Sequence, residues 1–246
     1  MDVCMFSHYG LASVVLLGLC CGACRAAEDA AARDDERQAD RRRMIETLRA
    51  HGVRDPAVLT AMGRIRRHRF IPEPHRGQVD AYGDHPAPIG WDQTISQPFI
   101  VAYMTAAMNV QAGEKVLEVG TGSGYQAAVL AELGAAVYSI EIIPELADHA
   151  RSALASEGYG DVNVRTGDGY LGWPEAAPFD VILVTCAPDA IPGPLKAQLA
   201  EGGRMIIPVG VDTQRLVILR KQDGEIRQSD DLPVRFVPML RAADRP

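Results

Sequence analysis

From Lys115 onward the chain alternates short, almost wholly apolar runs with longer amphipathic stretches. The apolar runs 115–119, 136–140, 162–165, 181–185 and 205–209 have the length and β-branched content of strands buried on both faces. Helical spacing fills the gaps: from Ala127 to about 133, from Pro144 to Glu157, and from Leu195 to Ala200, which Gly202-Gly203 would end. Two alternating runs, 216–220 and 225–228, flank Asp223-Gly224 and predict a hairpin. Residues 234–239 are expected to close the sheet. This rhythm predicts an α/β fold, a doubly wound and mostly parallel sheet with an antiparallel C-terminal edge hairpin.

Ahead of the sheet, Ile45 and Leu48 mark a short helix over 44–49, stopped by Gly52. Asp55-Pro56 predicts an N-cap and first helical residue for a second helix, with the stripe Val58, Leu59, Met62 and Ile65. Arg64, Arg66, Arg67, His68 and Arg69 follow, and read as a solvated helix end. Residues 70–98 are rich in proline, glycine and histidine and predict a long irregular segment, of the kind that is commonly functional. A further apolar helix is expected over 100–108.

Composition narrows the class. The 246 residues carry a net charge of -7, which argues against a nucleic-acid binder. Four of the five cysteines fall within the first 24 residues, so only Cys186 remains for the folded part and no disulfide framework is available to it. Residues 11–23 form an apolar run of signal-peptide length, too short to span a bilayer comfortably, yet residues 1–10 contain no Lys or Arg. Cys24 after Gly22-Ala23 loosely resembles a lipid-attachment site, and Met44 is an alternative start. The organisation expected is a leader over 1–26, a charged linker over 27–43, and one domain over 44–246. Apart from His8 in the leader, the histidines are His51, His68, His75, His85 and His149, without metal-ligand spacing.

The chemistry-bearing stretch is Lys115–Gln126, KVLEVGTGSGYQ. Gly120, Gly122 and Gly124 separate a strand from a helix, where a nucleotide approaches the main chain. The spacing is G-x-G-x-G, with Tyr125 where the dinucleotide fingerprint needs a small residue. Glu118, two residues before the glycines, would repel a pyrophosphate and suit a ligand with sulfonium and ammonium groups, as S-adenosylmethionine has. Glu141 ends the second strand about 20 residues past the first glycine, where a carboxylate receives ribose hydroxyls. Asp168 ends the third strand and could accept from an adenine amino group, with Gly169 letting the ring lie close; the plain alternative is an Asp-Gly turn. Cys186 reads as a small buried hydrophobe, and Thr185-Cys186-Ala187-Pro188 does not fit the box of nucleic-acid N-methylating enzymes. Ser96, in Thr94-Ile95-Ser96-Gln97-Pro98, either caps the following helix or offers a hydroxyl to a substrate.

Taken together, RIRRHRFIPE (64–73), AYGDHPAPIGWDQTISQP (81–98), VLEVGTGSGYQAAVLAEL (116–133), GDGYLGWPEAAPFDVILVTCAP (167–188), LAEGGRMIIPVG (199–210) and VRFVPM (234–239) resemble the protein-L-isoaspartate O-methyltransferase family. The Ile-Ser-Gln-Pro loop is the most distinctive of these, and residues 1–43 match nothing in the pattern. The resemblance implies a class I S-adenosylmethionine-dependent methyltransferase fold. It implies an acceptor, the free carboxylate of L-isoaspartyl residues in damaged proteins, whose ester collapses to a succinimide and starts repair. It also implies Ser96 as the active-site position, with the glycine turn, Glu141 and Asp168 holding the cofactor. Cys186 stands where the family more often has Ala or Gly. Expected alongside are a monomer, isoaspartyl proteins and peptides as partners, no nucleic acid, no stable membrane partner unless the leader is retained or lipidated, and a cytoplasmic location, with export as the alternative. Competing functions are a methyltransferase of the same fold acting on a small molecule or RNA, and an exported, non-catalytic binding protein.

Overall fold

The computed structural model describes residues 37–73 and 75–241. The leader, most of the charged linker and their four cysteines lie outside the described residues. The compact unit is Asp40–Pro246. Helix α1 (37–50) precedes α2 (Pro56–Arg64), and Asp55 caps α2 as expected, Oδ1 accepting from Ala57 N at 2.9 Å and Val58 N at 3.1 Å. Gly52 turns the chain between them at φ +96°.

The sheet has seven strands: β3 (Lys115–Val119), β4 (Ala136–Glu141), β5 (Asn163–Thr166), β6 (Phe179–Val184), β7 (Leu199–Val209), β8 (Gln214–Gln222) and β9 (Glu225–Val234). Their spatial order is β5-β4-β3-β6-β7-β8-β9, parallel from β5 to β7 and antiparallel from β7 to β9. The chain runs outward from β3 through β4 to β5, then returns to the other side of β3 at β6. Such a reversal opens a crevice at the carboxyl ends of the strands. Helices α3 (Pro98–Met108), α4 (Tyr125–Glu132), α5 (Pro144–Ser156) and α6 (Gly193–Ala197) make up the rest.

Strand alternation divides the core in two. Val116, Val181, Leu183 and Ile206 belong to a cluster shared with α1 to α5. Leu117, Val119, Ile182, Val184, Met205 and Ile207 belong to a second cluster with Phe179, Leu195 and Met239. Burial on both sides explains why these strands read as continuous apolar runs.

Three expectations are corrected. Gly202-Gly203 does not end a helix: α6 stops at Ala197, and the glycines sit in a bulge inside β7, where a Cβ on Gly203 would come within 2.8 Å of Ala200 O and 3.1 Å of Phe179 O. Residues 235–239 form no sheet strand. They leave β9 and cross back beside Ala187, whose N donates to Val237 O at 2.9 Å and whose O accepts from Met239 N at 2.8 Å. The segment 70–98, irregular over most of its described length, also holds elements that its composition did not predict: a 3-10 turn (His75–Gly77) and a small hairpin, β1 (Ala87–Gly90) with β2 (Gln93–Ile95). The β8–β9 hairpin turns at Asp223-Gly224, both with positive φ, the geometry of a type I′ turn.

Gly124 opens α4 at φ +88°, with a Cβ position 3.3 Å from both Ala150 Cβ and Leu154 Cγ of α5. Gly124→Ala should cost about 1–2 kcal/mol of unfolding free energy, from left-handed strain and crowding together. Urea titration with a two-state fit measures it; an unchanged midpoint would show that the turn relaxes freely.

Candidate functional site

The glycine turn after β3 is built from the neighbouring strands. Gly120 N and Thr121 N donate to Ile140 O at 2.8 and 3.2 Å. Thr185, one residue past β6, donates through N to Val119 O at 2.9 Å and through Oγ1 to Gly120 O at 2.6 Å. A Cβ on Gly120, where φ is +95°, would overlap Thr185 Oγ1, so the first glycine is required by both backbone and packing. Glu141, at the end of β4, is 5% exposed; its Oε2 accepts from Gly122 N at 2.7 Å and its Oε1 from Ile143 N at 3.0 Å. Burial raises its carboxyl above the usual range, and the backbone donors pull it back down.

These strand ends surround a cavity. Gly120, Gly122, Glu141 and Gly169 line it, with Val119, Ile140, Ile142, Ile143 and Met239 as apolar walls. Gly169 is a glycine for a different reason from the one expected: a Cβ there would overlap Val119 Cγ1 and approach Met239 Cε at 3.0 Å, so the small residue fits the wall itself. Asp168 caps the following 3-10 turn, Oδ1 accepting from Tyr170 N at 2.8 Å, and it does not line the cavity. Gly124 also lies off the cavity wall and serves the α4–α5 contact.

Glu118 is corrected most. The pleat places it on the Val116 face, beneath the turn, fully buried and off the cavity wall. It faces Ser139 across the β3–β4 register, and the Ser139 hydroxyl donates to its Oε2; Thr121 Oγ1 lies 2.6 Å from Ser139 Oγ. Glu118 Oε1 has no hydrogen-bond partner among the described residues. Burial pushes this carboxyl up to about 8, the Ser139 bond opposing and the Glu141 charge adding to the rise. Cys186, read as core filler, packs on the second core and also lines the cavity, its thiol pushed upward by burial, Glu141 and Glu118. Thr185, Ile142 and Ile143 carried no motif in the sequence; their signal was position alone, just past a strand end on the active edge.

A second cavity adjoins the first, and Thr94, Thr185, Val237 and Pro238 line both. Ser96 lines only the second. It does not cap α3: Asp84 Oδ1 accepts from Phe99 N at 2.8 Å, and the Ser96 hydroxyl has no hydrogen-bond partner among the described residues. The Ser96 carbonyl is held instead by Arg67, whose Nη2 donates to it at 2.8 Å while Nε donates to Ala81 O at 2.8 Å. Arg67 was expected in solvent; it is 0% exposed, with its guanidinium 4.8 Å from the Tyr125 ring centroid. Burial lowers its pKa. His68 is also buried, its Nδ1 2.6 Å from Tyr82 Oη. Arg64 and Arg66 do face outward, pairing with Glu132 and Glu157.

Two outcomes follow from these burials. Arg67→Met should lower stability by about 2–4 kcal/mol, because two buried carbonyls lose their donor, with Arg67→Lys falling between Met and wild type on urea titration. Glu118 is raised in the folded chain, so the native state holds a proton that the unfolded state releases. Its contribution to stability therefore falls as pH rises from about 4.5 and levels off above about 8. Urea titrations from pH 5 to 8 should show this decline in wild type relative to Glu118→Gln; parallel curves would mean that Glu118 is already ionised.

Residues 39–244 match the family model described as Protein-L-isoaspartate(D-aspartate) O-methyltransferase (PCMT). Among curated relatives, the protein-L-isoaspartate O-methyltransferase of Gloeobacter violaceus is 57% identical over 198 residues, covering 80% of this chain and 96% of that protein. Its counterpart from a Picosynechococcus species is 50% identical over 200 residues, covering 81% and 89%. A solved protein-L-isoaspartate O-methyltransferase superposes with a TM-score of 0.74 at 29% identity, over 82% of this chain and 66% of that one. A Plasmodium falciparum structure described with the same activity, in complex with S-adenosyl-L-homocysteine, superposes at 0.71 and 26% identity, over 80% and 96%. The sheet is that of the class I S-adenosylmethionine-dependent methyltransferases, and the chain belongs to the protein-L-isoaspartate (D-aspartate) O-methyltransferase family.

Proposed function

We propose that this chain transfers the methyl group of S-adenosylmethionine to the free carboxylate of L-isoaspartyl residues in damaged proteins, with the two adjoining cavities holding donor and acceptor. Family membership supports the activity and the cofactor. The observation that carries the site assignment is the shared wall: Thr94, Thr185, Val237 and Pro238 border both cavities, so donor and acceptor can meet there.

The first cavity suits the donor. Glu141 keeps acceptor capacity for ribose hydroxyls on oxygens that already brace the turn, and the apolar walls from Val119 to Met239 suit an adenine ring. Glu118 braces the turn from beneath through its hold on Ser139, and Asp168, off the cavity wall but next to Gly169 on it, is assigned to the adenine through the oxygen not engaged by Tyr170. The bound cofactor supplies a methyl group already activated by a sulfonium. What remains for the protein is to align the acceptor and keep water out. The acceptor carboxylate, with an ordinary pKa of about 3.5, is ionised at neutral pH, so no general base is required. Alignment of oxygen, methyl carbon and sulfur is worth roughly 7 kcal/mol or more. Ser96 serves by donating its hydroxyl to one carboxylate oxygen while the other attacks, and Arg67 fixes the backbone that aims it. With the donor bound, that hold would let the acceptor oxygen take the methyl carbon as the sulfur leaves as a neutral thioether. Attack by the adjacent backbone nitrogen then closes a succinimide, whose hydrolysis returns some normal aspartyl linkages.

Residues 44–246 are assigned as one methyltransferase domain, supported by the match over 39–244 and the compact unit Asp40–Pro246. We also assign a monomer that acts on proteins and peptides and not on nucleic acid, consistent with the charge of -7. Among the described residues no helix is long and apolar enough to cross a membrane. The cytoplasm is assigned as the working compartment because the cofactor is made there.

Methyl incorporation from labelled cofactor into an isoaspartyl peptide, against its normal aspartyl twin, tests the substrate; equal labelling of both would refute it. Ser96→Ala should slow transfer about ten- to a hundredfold with little change in S-adenosylhomocysteine affinity, the loss of one positioning bond. Glu141→Ala should weaken donor and demethylated product alike, since both carry the ribose, and calorimetry with each ligand checks it.

A further inference from the structure

The acceptor cavity is uncharged except at one point. Its walls come from 86–100, from Thr185 and from 232–238, chiefly proline, aliphatic and aromatic residues, and Arg235 is the sole ionisable side chain among those that line it. Arg235 is exposed and makes no ion pair or hydrogen bond through its guanidinium among the described residues. The two acids closest to it in sequence are engaged elsewhere. Both Asp231 carboxylate oxygens accept from Tyr103 Oη, at 2.7 and 2.6 Å, and Asp230 lies 4.0 Å from Arg215. The cation therefore stands uncompensated at an apolar cavity, on a chain whose net charge of -7 repels acidic peptides at long range.

We infer that Arg235 is a specificity-determining residue that receives an Asp or Glu side chain carried within a few residues of the isoaspartyl linkage. The inference rests on the isoaspartyl reading above. The methyl-accepting carboxylate itself is the wrong partner. It must reach the wall common to both cavities, and Arg235 lines only the acceptor side. An oxygen bound by a guanidinium is also a poorer nucleophile, its lone pairs being already engaged. A second carboxylate on the same peptide has neither constraint. Arg235 offers it a fork of donors at the edge of a low-dielectric cavity, where no protein carboxylate competes. The effect is that of a partly exposed ion pair, a few-fold in affinity and sensitive to salt.

The test uses the full chain and isoaspartyl peptides that differ only by Glu, Gln or Lys at single positions up to three residues either side of the linkage. Wild type should favour Glu over Gln about threefold in kcat/KM at its best position, carried by KM, with the ratio moving toward one at 0.5 M salt. Arg235→Ala should abolish that preference, and Arg235→Glu should favour Lys instead. S-adenosylhomocysteine affinity in both variants confirms that the fold and the donor cavity are intact. Equal Glu-to-Gln ratios in wild type and Arg235→Ala at every position would overturn the inference while leaving the substrate reading standing. Failure of wild type to methylate any isoaspartyl peptide would overturn both.

Discussion

The site depends on a turn that is pinned from both sides. At Gly120 the chain must leave β3 and start toward α4 between two parallel neighbours. On one flank the Ile140 carbonyl takes both Gly120 N and Thr121 N; on the other Thr185 bonds Val119 O and Gly120 O. A strand end held this way cannot wander, and its first amides are satisfied by protein. Ligand contacts must then come from groups these bonds leave over: the Glu141 carboxylate, the apolar strand tips, and the segment 237–240 that lies back across the opening. The reversal of strand order at β3 makes the crevice, and the pinned turn gives it a fixed floor.

Much of this was legible in the sequence because burial on both faces leaves a strong signature. The runs VLEV and DVILV read as strands without any knowledge of their partners, and Asp223-Gly224 named its own turn. Gly120, Gly122, Glu141 and Gly169 could be placed on one cavity because all four follow from a rule about strand ends. Glu118 could not. Its position next to the glycines suggests a ligand contact, but a strand alternates its side chains, and register sends this one beneath the floor to Ser139. The glycines of the β7 bulge were misread because a helix stop and a bulge call for the same residue. Residues 235–239 alternate like a strand, yet they meet a single bridge partner beside Ala187 and end up lining the cavities.

Arg67 shows a deeper limit. Five basic residues within six positions look like solvated surface, and three-dimensional context buries two of them, His68 and, completely, Arg67. Its partners are the carbonyls of Ala81 and Ser96, which leave no side-chain signature in a sequence. A buried cation with no carboxylate bonded to it is costly, so its retention needs more than stability as a reason. Here the guanidinium ties the irregular segment bearing Ser96 to the ring of Tyr125, the first residue of the helix that follows the nucleotide turn. One side chain thereby holds the acceptor loop in register with the donor floor. The segment that bears Ser96 is thus fastened from inside, which fits the positioning role proposed for that hydroxyl.

The same logic extends to the electrostatics of the two cavities. In the region of the proposed donor cavity, burial and the Glu141 charge hinder ionisation of Glu118, and both carboxylates oppose ionisation of Cys186. A cation arriving there relieves that repulsion and favours the ionised carboxylates, so the donor's positive charge is stabilised by groups that need not touch it. On the acceptor side the carboxylates are absent from the wall, and a single guanidinium stands at the lip. The proposed donor side is thus the acidic one, and the proposed acceptor side carries a cation that stands away from the wall common to both cavities. Methyl transfer cancels both charges at once. A neutral thioether gains nothing from the carboxylates, so the polarity that favours the charged donor would cease to hold its demethylated product, while a second carboxylate on Arg235 would be unchanged by the transfer.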